Sequence, residues 1–582
     1  MGDASIITEA GFIWRGALSG GDTDLHSLQL YLNLADGHLK FHPDWPPLEQ
    51  LNAVLTIDDK ELDGEVNSAT LGKAHVKHSE VRVRSASAGK GLQLLIDGEV
   101  TADVGDAIDV LAQSPLKSRV EGLSGWQMSG DSQINLDLTI PLSAGAVGGS
   151  YHVDTTLSQA RMALPDSEVA FEQLQGVLSY RNGKGLFSRE IKGRFWGEPV
   201  IASLATKQDD LSVDVNGRFS MPGLGKFLKL PSDQVLQGKT DVQANVLVPL
   251  EDMTLPLRLT INSQLQGAVI NLPEPFGKEA DGQRDIAVKV TFADSLDIQV
   301  SMGESLKAHL IQKDGALVRG LLARNSERTA LPEVGEFMAT GHFEYFSLPE
   351  WQTAFPTLFS DTSDSGSALR PLFDVKFDRL DVPGLSLDGA TVQGSYQDVG
   401  WQVGVESDLV VGQILIPEDT ASPMVLDLES LSLPTPTEAG GDADALNPMS
   451  LPYLRLSVKK FSVGNKLFGE ASFLMEPQSN GVRISGIDAN LLGLQVGDKE
   501  YDTSLEWTLE DGQHHTLVDG LLQAGDLGNV MEAWGLPQIL DSDEAHFFTE
   551  MAWPGRPWEI STTTKKGSMS LQLQKGRFYQ TP

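Results

Sequence analysis

The chain has 582 residues, with 44 Lys and Arg against 80 Asp and Glu, a formal net charge of −36, and no cysteine. The acidity argues against nucleic acid, whose phosphates need clustered Lys and Arg, and against a basic face lying on an anionic membrane. The missing cysteines exclude disulfides, thiolate metal sites and cysteine nucleophiles, and they suit an oxidising compartment such as the bacterial periplasm.

At roughly 100–200 residues per domain, the length fits three to five ordinary domains or one long repeat array. Glycine, at 58 residues, exceeds the usual ~7% and favours turn-rich β structure. The first residues, MGDASIITEAGFIWRG, show no basic region followed by a long apolar run, so no signal peptide is visible. No stretch approaches the ~18 apolar residues of a membrane span. The chain therefore reads as a soluble cytosolic protein or as a piece of something longer.

Along the chain the dominant signal is period-two alternation. Leu28, Leu30, Leu32 and Leu34 open the pattern, followed by Ile134, Leu136, Leu138 and Ile140. Leu255, Leu257, Leu259 and Ile261 continue it, then Ile286, Val288, Val290 and Phe292. Leu505, Trp507 and Leu509, and finally Met569, Leu571 and Leu573, complete it. Each run predicts a strand with one apolar and one wet face. Asp36-Gly37, Asn182-Gly183, Asp314-Gly315, Asn480-Gly481 and Asp511-Gly512 read as the turns between them, which predicts antiparallel hairpins.

The chain also repeats itself. GDSQINLDLTIPL from Gly130 aligns without a gap on GKTDVQANVLVPL from Gly238. Leu157, Ala160, Leu164 and Pro165 match Leu265, Ala268, Leu272 and Pro273 at the same offset of 108 residues. This is an internal duplication. A second recurring element, a strand followed by a short helix-like segment, begins at Gly98, Gly217, Gly341 and Gly520. Repeat-like units are expected near 1–129, 130–237, 238–366 and 367–582 of one continuous β array. Disordered loops are expected near 360–368 (SDTSDSGS) and 433–449 (around LPTPTEAGGDADALNP).

A one-sided sheet must cover its apolar face. About four short helices are too few to cover roughly 30 strands. Two solutions remain: packing against a second sheet, or curling into a trough whose apolar lining takes lipid tails. At ~4.8 Å per strand such a trough would run on the order of 140 Å. Each buried methylene contributes about 0.8 kcal/mol, so a two-chain lipid avoids a cost on the order of 20 kcal/mol there.

Chemistry finds little support. His75 and His78, three apart in a strand-like run, are expected on opposite faces, and His26, His38 and His42 lack ligand spacing with carboxylates. No nucleophile elbow, Walker loop, dinucleotide fingerprint or H-E-x-x-H occurs. Acidic pairs such as Asp58-Asp59 and Asp209-Asp210 are expected by number alone among 80 carboxylates. No enzyme activity, metal or cofactor is expected. Trp351 and Trp534 lie in helix-like elements, where an aromatic pins the segment to the sheet or, on a sharper reading, plugs a lipid path. Trp553 and Trp558 flank the structural turn WPGRPW.

Several blocks resemble the YhdP family of the AsmA-like superfamily. They are LHSLQLYLNLADGHLKFHPDWPPLEQLNAVLTIDD from Leu25, QLQGAVINLPEPFGK from Gln264, GDLGNVMEAWGLP from Gly525 and MAWPGRPWEISTTTKKGSMSLQLQKGRF from Met551. They follow in order over nearly the whole chain. The resemblance implies a bridge-like lipid transfer protein of the Gram-negative envelope, anchored in the inner membrane and crossing the periplasm. It implies a long curled antiparallel sheet, a β-taco with a hydrophobic groove and a few short helices. These 582 residues then form a periplasmic C-terminal portion, lacking an N-terminal membrane helix and an apolar C-terminal segment. Phospholipids are the expected ligand; both membranes are expected partners through segments outside this chain, with envelope proteins possible further partners and no nucleic acid.

The residues expected to touch acyl chains are Leu30, Leu32, Leu136, Leu138, Ile140, Val246, Val248, Leu257, Leu259, Ile261, Val288, Val290, Leu456, Leu505, Trp507 and Leu571, with Arg258 and Lys289 facing water. The alternative is an envelope scaffold whose β core is filled by its own side chains. A glycan-binding or hydrolytic β-solenoid would need ordered aromatic platforms or facing carboxylates, and neither is seen.

Overall fold

The fold comes from a computed structural model. It describes residues 6–16, 27–85, 91–114, 116–123, 125–142, 149–165, 169–223, 232–250, 254–359, 369–383, 385–397, 399–419, 421–433, 447–498, 500–559 and 565–579. The loop expected at 360–368 and residues 434–446 of the one expected at 433–449 lie outside them. Among the described residues the chain is all-β, with one long sheet of 34 strands and a small two-stranded pair, Leu540–Asp541 with Arg577–Phe578. Contacts divide the chain into two compact units, Met1–Asn271 with Lys278–Gly303, and Leu272–Gly277 with Glu304–Pro582.

In the first unit, strands from Ile6–Arg15 to Leu296–Met302 pair antiparallel, mostly with sequence neighbours, as the turn signals predict; Leu257–Ser263 skips the short Ala268–Ile270 to pair with Ile286–Phe292. Asn182-Gly183 lies in the turn joining Ala170–Arg181 to Gly185–Phe195. Asp36-Gly37 does not form a turn. The strand Ser27–Leu39 runs through it as a bulge, with Asp36 at φ 51° and the register slipping between Leu34 and Gly37. An Asx-Gly pair supplies the same left-handed backbone for either purpose, and here Leu39 still pairs with Leu48 beyond it.

Such bulges recur at one end of the strands, and there the core is sealed. Leu51, Ala53, Val66 and Ala69 form one buried cluster. Ala74, Val100 and Ala102 form another, covered by Ala107 of the helix Val104–Ala112. Asp103 caps that helix: one carboxylate oxygen accepts from the Gly105 N–H at 2.8 Å, the other from the Gly130 N–H at 2.7 Å. One side chain thus satisfies an orphan helix donor and fixes the bulge of the next strand.

In the second unit Asp314-Gly315 and Asp511-Gly512 form hairpin turns, while the turn expected at Asn480-Gly481 is centred one residue earlier, Gln478 pairing with Gly481. Three pairings depart from the antiparallel expectation. Glu336–Ser347 runs parallel to both Ala316–Arg324 and Arg370–Val382, and Met424–Leu433 runs parallel to Leu454–Val463. Parallel neighbours need a crossover rather than a tight turn. The helix Leu348–Phe359 lies in one crossover. Trp351 holds the helix down. It is buried, stacks on Phe346 at 5.7 Å, meets Phe276 edge-on at 5.5 Å and donates from Nε1 to the Glu274 carbonyl at 3.3 Å.

Candidate functional site: the apolar face

The candidate site is a face, not a pocket. In the first unit, cross-strand register aligns apolar residues into lanes. Leu30 pairs with Ile57, which pairs with Leu62; the lane continues through Val83 and Leu94 to Ile140. Farther along, Leu204, Val213, Val246, Leu259, Val290 and Ile298 form a second lane, and Ala202, Val215, Ala244, Ile261, Val288 and Val300 run beside it. Every member of these lanes is half-buried. Toward the bulged end the same face passes into the buried clusters; away from it the lane residues stay half-buried. Alternation alone predicts one apolar face, and the register makes that face continuous from strand to strand.

The opposite face is polar and carries ion pairs, Arg258 with Asp210 at 3.0 Å and Lys77 with Glu99 at 2.9 Å. Arg258 and Lys289 are exposed there. Such pairs contribute little stability, but they keep the two faces chemically distinct.

Of the sixteen residues singled out from the sequence, thirteen are half-buried: Leu30, Leu32, Leu136, Leu138, Ile140, Val246, Val248, Leu257, Leu259, Ile261, Val288, Val290 and Leu505. Leu571 is exposed, on the strand Lys566–Gln574, which pairs with Glu544–Pro554. The remaining two are buried by the chain itself. Leu456 packs with Leu428 and Val458. Trp507 packs with Met475 and Val482, meets Trp558 edge-on at 5.4 Å, and donates from Nε1 to His514 Nδ1 at 3.2 Å.

In the second unit the covered zone is broader. Leu380, Leu387, Ala390, Val410, Leu428, Leu456 and Val458 form one cluster, with Val392 and Val405 against it. Val403 and Ile414 pair just beyond, half-buried. At the hairpin end of those strands Tyr396 pairs with Trp401, whose rings meet at 5.6 Å, and Phe373 approaches Trp401 at 5.6 Å. Tyr396 and Trp401 escaped the alternation search because they sit at strand ends; the cue was YQDVGW, two aromatics bracketing a turn.

Among the described residues no His, Asp and Glu group is arranged to hold a metal. His75 and His78 are both exposed, and a bulge between Val76 and Ser79 breaks the alternation that would have set them on opposite faces. No helix among the described residues is long and apolar enough to cross a membrane.

The geometry defines an all-β protein whose long sheet carries half-buried apolar lanes in its first unit. A family profile described as YhdP protein matches residues 4–581, and the chain belongs to that family, an envelope-associated group of AsmA-like proteins. No curated protein and no solved structure matches the chain.

Proposed function

We propose that this protein binds phospholipid acyl chains along the apolar lanes of its sheet and conducts phospholipid across the periplasm between the inner and outer membranes. The observation that carries this reading is the register: half-buried aliphatic side chains follow one another across successive strands with no polar interruption within a lane. Each methylene laid on such a lane leaves water with a gain of about 0.8 kcal/mol. Neighbouring positions are alike, so a lipid moves between them without crossing the full barrier to water. The process needs no chemistry, and the proposal includes no catalytic residue, metal or cofactor.

The test is photocrosslinking in cells with a probe at Leu257 and a control probe at Arg258, its neighbour on the polar face. Phospholipid adducts at Leu257 and none at Arg258 are expected. Adducts only within the protein at Leu257 would overturn the reading.

A second reading, an envelope scaffold with a self-filled core, draws on Leu456 and Trp507, which the chain's own residues cover. The same experiment separates the two, because a self-filled core returns protein adducts and no lipid at Leu257.

A further inference from the structure

Lipid laid on an apolar lane must keep its head group wet, so the lane needs a boundary where acyl chain gives way to phosphate. The second unit contains a place built for this. Along the strand Gly400–Glu406, Val405 packs on the buried cluster, Val403 lies on the half-buried face, and Trp401 sits at the hairpin end. The paired strand Thr391–Gln397 shows the same order, with Val392 against the core and Tyr396 at the end. Along alternate positions the apolar face thus grades from sealed core to open lane to a pair of aromatics.

Both aromatics are amphipathic and half-buried. Interaction with the exposed Glu418 carboxylate raises the Tyr396 phenol's pKa above its usual value. Among the described residues the Trp401 indole N–H donates no hydrogen bond. Gly394 leaves room for the Phe373 ring, which lies where a side chain at 394 would stand and braces Trp401. Tyr and Trp prefer positions with one end apolar and the other wet.

The first unit also sets aromatics near a hairpin end. Tyr151 pairs with Leu138 and Tyr180 with Val153, both tyrosines lying beside the Arg181–Gly185 turn.

We propose that Tyr396 and Trp401 form the head-group boundary of the lane, with acyl chains on Val403 and Ile414 and the Trp401 N–H donating to the phosphate of a diacyl phospholipid. This rests on the lipid-binding reading above and assigns to it a polarity across the strands.

Two phosphatidylethanolamines test it on the purified native chain, one carrying a diazirine on the head group and one at the acyl terminus. After loading from vesicles and irradiation, adducts are mapped by mass spectrometry. The head-group probe is expected on Tyr396 and Trp401 and the tail probe on Val403 and Ile414. Both probes labelling all four positions alike, or in the reverse order, would overturn the boundary while leaving acyl binding intact. No adduct of either probe on the apolar lanes of either unit would overturn the lipid reading itself.

Trp401→Phe keeps the ring and removes the donor. It is expected to lower phosphatidylethanolamine retention roughly fivefold, as for one lost hydrogen bond, and to leave diacylglycerol retention unchanged. Unchanged retention of both, or an equal fall in both, would refute the phosphate contact.

Discussion

Gly238 and Gly267 meet backbone to backbone: a Cβ on Gly238 would fall 2.1 Å from the Gly267 carbonyl oxygen. One duplication earlier, Gly130 meets the next strand at the corresponding place, where a Cβ would fall 2.5 Å from the Ala160 α-carbon. Ala160 and Ala268, the equivalent residues, are both almost wholly buried. The repeat read from sequence is therefore a repeat of one device, a bulged strand end pressed against its neighbour where the core is sealed.

Gly238→Ala tests that device. Gly238 has φ +84° and no room for a side chain, so the substitution combines left-handed strain with a backbone clash. A loss of about 2 kcal/mol or more is expected. Gly183 is the control: its φ is +69°, yet nothing lies within 4 Å of a Cβ there. Gly183→Ala should cost only about 1 kcal/mol. Urea unfolding of the two variants side by side gives the order, and equal losses would remove the close approach as the cause.

The difference between lane and core predicts opposite behaviour from two leucines. Leu257 is half-buried and pairs with the exposed Phe292, so Leu257→Asp can solvate its carboxylate and leave the sheet folded while obstructing lipid passage. Leu428 is 2% exposed at the centre of the second unit's main cluster. Leu428→Ala should destabilise by about 2–5 kcal/mol without placing charge on a lane. Circular dichroism with lipid flux in cells checks both. Normal flux in a stably expressed Leu257→Asp protein would count against the lane assignment.

How much of this was legible beforehand depends on the range of the interaction. Alternation is local, so strands, their apolar parity and the exposure of Arg258 and Lys289 were readable from a few residues each. Asp36-Gly37 was misread because the same dipeptide serves a turn or a bulge, and only the continued pairing of Leu39 with Leu48 decides. The parallel pairings were missed because a crossover is defined by where the chain returns, not by the residues within it. Leu456 and Trp507 match the other alternating residues in sequence. Their burial comes from Leu428, Val482 and Trp558, contributed by other strands and a distant turn.

Trp351 gives a third prediction, because one side chain anchors a crossover helix. Its stack on Phe346 and its bond to the Glu274 carbonyl are both lost in Trp351→Ala, with an expected cost of about 3–5 kcal/mol. Trp351→Phe retains a ring against Phe346 and loses the N–H, so it should fall between the two. Thermal unfolding measures the series. A phenylalanine variant as unstable as the alanine one would mean that the hydrogen bond, rather than the aromatic packing, holds the helix.

Acid should loosen one specific loop of the second unit. Asp498 accepts from the Tyr501 N–H at 2.7 Å, from the Glu500 N–H at 2.8 Å and from Gln523 Nε2 at 3.1 Å. The backbone bond from Tyr501, then that from Glu500, holds its pKa below the ordinary carboxylate value. A depressed folded-state pKa contributes stability that is fully present above the unfolded value of about 3.9 and is lost as pH falls through the folded value. Native protein should therefore lose hydrogen-exchange protection at Glu500 and Tyr501 as pH falls below about 4 and through the lower folded pKa. Asp498→Asn keeps an acceptor and removes the titration, so protection there should be weaker at neutral pH and flat across the acid range. An asparagine variant that retains the native acid transition at these two amides would assign the transition to another carboxylate.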